Sequence, residues 1–261
     1  MLQDSSREAA GGPSVGLFVT CLVDAMRPAI GFAAINLLEA ARCRVDVPLQ
    51  QTCCGQPALN SGDLAGARQI AQHTIALLEP FEYVVVPSGS CAATIRVHYT
   101  ELFHEDPVWR ARAEALSART HELLSFLVDI RGWLPEQVAL PASATYHDSC
   151  SGLRELGINA QPRRLLAAVE GLSLRPLEGN ATCCGFGGMF CVKYAAISNA
   201  IVAEKAQSIE ATGAELLLGG DLGCLMNLAG KLHRHGSRVR AFHTAEILAG
   251  MGGGAAIGEA T

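Results

Sequence analysis

The sequence predicts an α/β fold of two tandem related lobes, each a parallel sheet flanked by helices, arranged with pseudo-two-fold symmetry. Short, continuously apolar runs alternate with helical patterns, which is typical of parallel strands that are covered on both faces. Four cysteines also recur in register, at offsets of 129 to 133 residues. They are Cys21, Cys53, Cys54 and Cys91 in the first half and Cys150, Cys183, Cys184 and Cys224 in the second. This register indicates a duplication, with lobes at residues 14–135 and 141–250.

The first lobe is predicted to alternate strands with helices. The predicted strands are residues 15–20, 45–47 and Tyr83–Val86, and the predicted helices are residues 28–42 and 63–79. Pro28 suits a first helical turn, and residues 63–79 carry an apolar face at helical spacing. Residues 107–135 are predicted to be helical, with Thr120 as the cap of a helix.

The second lobe repeats this plan. The predicted strands are residues 144–147, 172–175, 215–218 and 238–242, and the predicted helices are residues 162–170, 195–212 and 244–251. Residues from Gly252 onward are predicted to form a loose tail. The paired cysteines follow predicted strands, and the ligands of parallel sheets collect at the carboxyl ends of the strands.

Composition excludes several classes of protein. Hydrophobic residues make up 49% of the chain and charged residues 17%, which predicts a compact globular protein. The net charge of −5 and the absence of a basic run argue against a nucleic-acid partner. Residues 1–12 lack the pattern of a secretory signal, and no apolar run approaches the roughly 18 residues of a membrane helix. We therefore expect a soluble, cytoplasmic protein with no direct membrane insertion.

Ten cysteines are unusual in such a protein, because structural disulfides are rare in a reducing cytosol. Metal binding or redox chemistry explains them better, so all eight paired cysteines are predicted to be metal ligands. Four thiolates suit an iron–sulfur cluster or zinc, and adjacent cysteines favour a cluster because they can reach two different iron atoms. The glycine after each adjacent pair, Gly55 or Gly185, is predicted to bind the cofactor by letting the backbone approach it.

Two other interpretations stay open on these residues alone. One is a structural zinc protein with two four-cysteine sites that acts as an interaction module. The other is a thiol–disulfide switch at Cys53-Cys54 or Cys183-Cys184 that works without metal. The sequence shows no Ser/His/Asp arrangement or paired carboxylates typical of a hydrolase.

Several residues near the paired cysteines have less definite roles. Cys43 has no counterpart in the other half and is predicted to lie in the core. Cys191 is either a packing residue or a spare thiol beside the cofactor. His147 is either a satisfied residue at a strand end or a hydrogen-bond or proton-transfer group near the cofactor. Three cations could offset cluster charge or simply face solvent: Arg27, Arg154 and Lys193.

The chain resembles the CCG-type cysteine-rich domain family, which includes the heterodisulfide reductase B subunit. The resemblance covers about residues 14–250 and is closest to the two-domain lactate-utilisation protein A group. The matching stretches are residues 20–24 (TCLVD), 51–57 (QTCCGQP), 88–91 (SGSC), 147–150 (HDSC) and 182–188 (TCCGFGG).

The resemblance implies an iron–sulfur electron-transfer subunit of a complex that oxidises L-lactate or another 2-hydroxy acid. It implies partner subunits that carry further clusters, and an oxidoreductase subunit rather than a stand-alone catalyst. The fuller family motif has a fifth cysteine per lobe, where this chain has Ser88 and Asp221. That departure favours two ordinary four-ligand [4Fe–4S] clusters over five-thiolate clusters.

Overall fold

The computed structural model describes residues 11–259, in which two similar lobes follow each other along the chain. The first lobe contains the strands β1 (Ser14–Leu17), β2 (Arg44–Asp46), β3 (Tyr83–Val86) and β4 (Thr120–Glu122). Its helices are α1 (Cys21–Met26), α2 (Ala29–Ala40), α3 (Gln56–Ser61), α4 (Leu64–Leu78), α5 (Gly89–Ala93), α6 (Tyr99–Leu102), α7 (Pro107–Ser117) and α8 (Leu123–Ser125). Two π-helical turns, Thr94–His98 and Phe126–Ile130, continue α5 and α8.

The second lobe contains the strands β5 (Ala139–His147), β6 (Glu170–Arg175), β7 (Leu216–Gly219) and β8 (Arg240–His243). Its helices are α9 (Cys150–Arg154), α10 (Ala160–Leu166), α11 (Phe190–Lys193), α12 (Ala195–Ala211), α13 (Leu222–Arg234) and α14 (Thr244–Leu248). Within residues 11–259, no helix combines the length and the apolar character needed to cross a bilayer. Residues 1–10, most of the predicted polar start, lie outside the described range.

Both sheets are parallel and have the same strand order. The first runs β2-β1-β3-β4 and the second β6-β5-β7-β8. The registers also correspond, because Leu17 of β1 pairs with Val85 of β3 and the equivalent Tyr146 of β5 pairs with Leu218 of β7. The predicted fold class, two tandem α/β lobes with parallel sheets flanked by helices, is confirmed.

The two lobes share apolar cores. Leu124 and Phe126 of the first lobe belong to one buried cluster with Tyr146 and Phe242 of the second. Helix α2 packs against α14 across the boundary. Since apolar burial is the main force that holds folded chains together, the lobes stabilise each other in addition to folding internally.

The sequence-based assignment was wrong for residues 120–122. Thr120 does not cap a helix: it lies fully buried in the edge strand β4 and pairs with Val84. The side chain of Glu122 caps α8 instead, by accepting a hydrogen bond from the Ser125 amide. The strand was missed because its three residues, Thr-His-Glu, show no apolar run, and pairing with β3 overrides their weak local preference.

The predicted loose tail is also wrong within the described residues. Ala256 and Ile257 are buried, and the Ile257 amide donates a hydrogen bond to the Ala241 carbonyl at 2.9 Å. The Arg27 guanidinium reaches the Ala255 carbonyl at 2.7 Å. The tail therefore seals the second lobe and contacts the first.

A buried ion pair joins the lobes beside this tail. The Nε of Arg27, just after α1, donates to the two carboxylate oxygens of Glu246 in α14 at 2.9 and 3.1 Å. The Glu246 side chain is 2% exposed and that of Arg27 is 16% exposed. Removing one partner from such a pair leaves a buried charge without compensation.

We predict that Arg27→Met lowers the free energy of unfolding by about 3 kcal/mol, because Glu246 stays buried and loses its cation. The matched control is Arg110→Met, which breaks a pair with Glu114 whose side chains are 50% and 52% exposed. That control should change stability by less than about 1 kcal/mol. Urea denaturation measures both, and equal effects would contradict a stabilising role for the buried pair.

Candidate metal centres

The eight paired cysteines lie at the carboxyl ends of the strands, as the sequence predicts for ligands of parallel sheets. Cys21 opens α1 directly after β1, and Cys150 opens α9 directly after β5. The adjacent pairs lie in the loops that follow β2 and β6. Cys91 lies in α5 after β3, and Cys224 lies in α13 after β7.

The structure brings together the four cysteines of the first lobe. The sulfur atoms of Cys54 and Cys91 are 3.4 Å apart. The thiols of Cys21 and Cys54 both lie within hydrogen-bonding reach of the sulfur of Cys53. Cys54 is buried, whereas Cys21 is exposed, so this set spans from the interior to the surface.

The second lobe repeats this convergence with more burial. The sulfur of Cys183 lies within hydrogen-bonding reach of the thiols of Cys150 and Cys184, and Cys184 lies within the same reach of Cys224. Both Cys184 and Cys224 are buried. A nitrogen of His147 joins them, since its ligand atom and the two sulfurs all lie within 4.8 Å of one another.

Crowding of the sulfurs separates their proton affinities. In each lobe the hydrogen bonds from neighbouring thiols lower the pKa of one cysteine, Cys53 or Cys183, to about 2. The same hydrogen bonds, together with burial, hold the pKa values of the neighbouring thiols well above the ordinary range: Cys21, Cys54, Cys150 and Cys184. One thiolate is therefore stable in each set, and further ionisation needs a cation to offset like charges at this range.

This donor chemistry fits a thiolate-bound metal group. A bound metal cation replaces the thiol protons and removes the repulsion that otherwise prevents full ionisation. Four sulfur donors suit iron–sulfur clusters and zinc in preference to hard cations such as Mg²⁺. The residues present therefore match the group that the sequence predicts.

The two predicted glycines place backbone amides against the sulfurs. Gly55 and Gly185 have φ of 84° and 80°, which favours glycine over other residues. The Gly185 amide donates to the Cys183 sulfur at 3.3 Å, and the Phe186 amide donates to the Cys184 sulfur at 3.5 Å. A side chain at Gly185 would bring its Cβ within 2.8 Å of the Ser198 carbonyl oxygen. These contacts agree with a cofactor-binding role, which itself stays a prediction.

The remaining predicted residues have other partners or surroundings. Cys43 is buried in the shared apolar core, as predicted. The Cys191 thiol donates to the Gly188 carbonyl at 3.1 Å. Arg27 pairs with Glu246, and Arg154 donates to the Ala181 carbonyl, so both cations have partners other than the sulfurs. Lys193 is exposed.

Sequence reasoning missed a buried cation in the second lobe. Lys205 is 1% exposed, and its ammonium group donates to the carbonyls of Gly179 and Asn180 at 2.9 Å. Burial lowers its pKa to about 8, while the nearby Asp148 and cysteines of the second set oppose that shift. The sequence did not indicate that this lysine is buried, because single lysines are common on the surfaces of helices such as α12.

His147 is not the satisfied strand-end histidine that was one of its two predicted roles. It is 1% exposed, and within residues 11–259 neither ring nitrogen has a hydrogen-bond partner. Burial, with the Lys205 charge as a second cause, lowers the pKa of His147 to about 4. The imidazole is therefore neutral at physiological pH and has one nitrogen lone pair free.

Ser88 and Asp221, the two departures from the family motif, meet at the junction between the lobes. The Ser88 hydroxyl donates to an Asp221 carboxylate oxygen at 3.1 Å, and the Ser90 amide donates to the same oxygen at 2.9 Å. Each residue also caps the helix of its own last cysteine, by accepting from the amide of Cys91 or Cys224. The two cysteine sets are thus joined through directly contacting residues.

A cavity of about 190 Å³ lies between the lobes on the side of the first set. Cys21, Cys53, Cys54 and Cys91 contribute to its wall from the first lobe. The second lobe contributes Phe186, Met189, Leu222 and Gly223, among others. The first set therefore faces a space that both lobes enclose.

Glu122 is a buried carboxyl group beside the junction. One of its oxygens accepts from the Ser125 amide at 2.9 Å, and the other has no hydrogen-bond partner in the described part of the chain. Burial raises its pKa to about 7, and nearby Asp221 adds to that effect. It shares the walls of a small cavity with Tyr146 and Gly220 of the second lobe.

Comparison with known proteins identifies the family of these lobes. A family model described as a cysteine-rich domain, CCG, matches residues 15–96 and 144–229. Each matched range contains one complete four-cysteine set. The family resemblance read from the motifs is confirmed.

Curated relatives match nearly the whole chain. Lactate utilization protein A of Exiguobacterium sp. strain AT1b is 49% identical over 238 residues, which cover 90% of this chain and 97% of that protein. The protein of the same name from Bacillus subtilis strain 168 is 46% identical over 234 residues, which cover 90% and 98%. A crystal structure of a hypothetical protein from Helicobacter pylori aligns at 12% identity with a TM-score of 0.67, covering 95% of this chain and 50% of that one. The last likeness concerns the fold alone.

We predict that Glu122→Gln makes the protein more stable than wild type as pH rises. Because the pKa of Glu122 is raised from 4.5 to about 7, the folded protein keeps a proton that the unfolded chain releases between these pH values. Wild-type stability is therefore lost through that window, by roughly 3 kcal/mol. Glutamine cannot ionise and keeps an acceptor for the Ser125 amide, so its relative gain should grow between pH 4 and pH 8 in urea denaturation.

The control for this prediction is Glu79→Gln, which should have the opposite sign. The hydrogen bond from Arg112 lowers the pKa of Glu79, so this carboxylate contributes stability at neutral pH that is lost as pH falls. A difference between Glu122→Gln and wild type that is constant from pH 4 to pH 8 would show that Glu122 ionises normally.

Proposed function

The chain belongs to the family of CCG cysteine-rich domain proteins, and from this premise we propose that it transfers electrons in lactate utilisation, with one [4Fe–4S] cluster held by each lobe. The observation that carries the proposal is the double convergence of four sulfurs at the carboxyl edges of two equivalent sheets. Bound iron–sulfur clusters would supply reversible one-electron chemistry.

The residues of each set have separable tasks in this proposal. Cys21, Cys53, Cys54 and Cys91 would hold the first cluster, and Cys150, Cys183, Cys184 and Cys224 the second. The buried cysteines Cys54, Cys184 and Cys224 keep water from the inner side of each site. The amides of Gly185 and Phe186 donate to sulfur, a contact that stabilises negative charge and tunes reduction potential.

The link to lactate comes from the relatives named Lactate utilization protein A. We place the oxidation of lactate, or of another 2-hydroxy acid, on a partner subunit, and we assign electron transfer to this chain. Its partners would then be other iron–sulfur subunits of the same complex. We place the protein in the cytoplasm, where thiols stay reduced and available to metals.

The accessible edge of the first set supports an electron-transfer role. Cys21 is exposed, and Cys53 is partly exposed, whereas Cys184 and Cys224 are buried. Exposed apolar side chains are close to these cysteines: Leu49 lines a surface cleft together with Cys21 and Cys53, and Met26 ends the short helix α1 that begins at Cys21. A partner that covers this edge would come close to the first cluster, as transfer of electrons requires.

We predict that anaerobic reconstitution loads roughly eight iron and eight sulfide ions per chain, because each lobe takes a four-iron cluster. Cys54→Ser and Cys184→Ser should each remove about half of the iron, since each loses a central ligand of its own set. Chemical iron and sulfide analysis, with visible absorption, measures the loading.

The control is Cys43→Ser, because Cys43 lies in the apolar core away from both sets and should keep the full iron content. Loss of all iron from either single variant would refute two independent centres. Stoichiometric zinc in a colourless protein that refuses iron would replace the electron-transfer proposal with a structural zinc module.

A further inference from the structure

Within residues 11–259, His147 is the one histidine or carboxylate side chain that the structure groups with cysteine sulfurs at metal-ligand spacing. It ends strand β5 and is almost fully buried. Neither of its ring nitrogens has a hydrogen-bond partner in the described range. A buried imidazole that lost both contacts to water and gained none would be costly, so an unmet partner is expected in the site.

The position of the ring indicates what that partner is. Its ligand atom lies within 4.8 Å of the sulfurs of both Cys184 and Cys224, and those sulfurs are within the same distance of each other. Three donor atoms at this mutual spacing can all reach one metal ion between them. Imidazole nitrogen and thiolate sulfur are ligands of the same borderline metals, iron and zinc.

The first lobe has no such group at the equivalent place. Phe18 precedes Cys21 by three residues, as His147 precedes Cys150. Phe18 follows Leu17, which pairs with Val85, and its amide donates to the Val85 carbonyl, so it continues β1 where His147 ends β5. Phe18 is completely buried in the apolar cluster that contains Cys54. The duplicated lobes therefore present a phenyl ring to one sulfur set and an imidazole to the other.

We propose that His147 is a nitrogen ligand of the metal group in the second lobe, shared with Cys184 and Cys224, and that the first centre has sulfur ligands alone. The second lobe then offers five donors, four thiols and one imidazole, and the first offers four. This inference rests on the proposed function only in requiring a metal in the second lobe. It adds that the two centres are chemically different.

A difference in potential follows from this difference in ligands. A four-iron cluster takes one protein ligand per iron, so the bound imidazole would take the place of one of the four thiolates in the second lobe. A neutral imidazole donates less negative charge to iron than the thiolate it replaces, and such histidine ligation raises the reduction potential of iron–sulfur centres. The second centre is therefore the better electron acceptor of the two. Electrons that enter at the exposed first centre would pass to the buried second centre across the Ser88–Asp221 junction.

The test uses the full chain carrying Cys54→Ser, so that metal in the second lobe is observed without the first. The protein is reconstituted anaerobically with iron and sulfide, once with natural histidine and once with ¹⁵N-labelled histidine. Pulsed EPR of the reduced cluster should show a strong nitrogen coupling that changes with the label, as a directly bound imidazole requires. The coupling should disappear in His147→Phe, which installs the residue found in the first lobe.

Two further variants serve as a control and as an independent measurement. His73→Phe removes an exposed histidine of the first lobe and should leave the coupling unchanged. His147→Phe in the otherwise unaltered chain should lower the reduction potential of one centre only, in a spectroelectrochemical titration. If His147→Phe fails to fold, the chain that keeps His147 still tests the proposal, because a nitrogen coupling that changes with the ¹⁵N label shows a directly bound histidine and its absence refutes one.

Two of the three outcomes separate this inference from the proposed function. A four-iron cluster in the second lobe without directly bound nitrogen overturns the inference and leaves the electron-transfer proposal standing. Zinc bound with nitrogen at about 2.0 Å and sulfur at about 2.3 Å, by X-ray absorption, supports the inference and overturns the iron–sulfur proposal. A second lobe that binds no metal overturns both.

Discussion

Four thiols held within hydrogen-bond distance cannot all ionise unless a cation shares the site, and both halves of this protein are organised around that constraint. In each lobe hydrogen bonds from neighbouring thiols lower the pKa of one cysteine, Cys53 or Cys183, so this sulfur is the first of its set to ionise. The sulfurs are preorganised by strand ends and helix starts, and left-handed glycines let the backbone follow them closely. Metal binding would then replace protons without rearranging the chain.

Duplication gives the two cysteine sets equivalent backbone frameworks, but the sets differ in burial and in the side chains around them. The second set is more buried than the first, and it has the imidazole of His147 and the ammonium group of Lys205 nearby. The first set instead borders an interlobe cavity and reaches the surface through Cys21. Under the proposals made above, the more exposed first set is suited to exchange with partners, and the more buried second set, with its nitrogen ligand, is suited to receiving electrons.

Besides the shared apolar core, two polar contacts cross the boundary between the lobes: a hydrogen bond between Ser88 and Asp221 beside the cysteine sets, and the ion pair of Arg27 with Glu246. Ser88 and Asp221 hydrogen-bond to each other while they cap the helices of Cys91 and Cys224, so a shift of one lobe would disturb both sets of ligands. Arg27 and Glu246 provide a second, buried connection, and the segment around Ala255 covers it. Such paired contacts hold the two lobes in one arrangement and so keep the distance between the two cysteine sets constant.

The amino-acid sequence by itself determined the parallel α/β class, the duplication and the grouping of the eight cysteines, because strand patterns and residue spacing are local properties of the chain. It did not predict β4 or the packed segment at Ala256 and Ile257, since pairing and burial against distant elements decided both. The Ser88–Asp221 contact joins residues 133 positions apart, and only the packing of the lobes brings them together. His147 was visible in the sequence as a residue near Cys150, but the tertiary structure alone removed its hydrogen-bond partners and aimed it at Cys184 and Cys224.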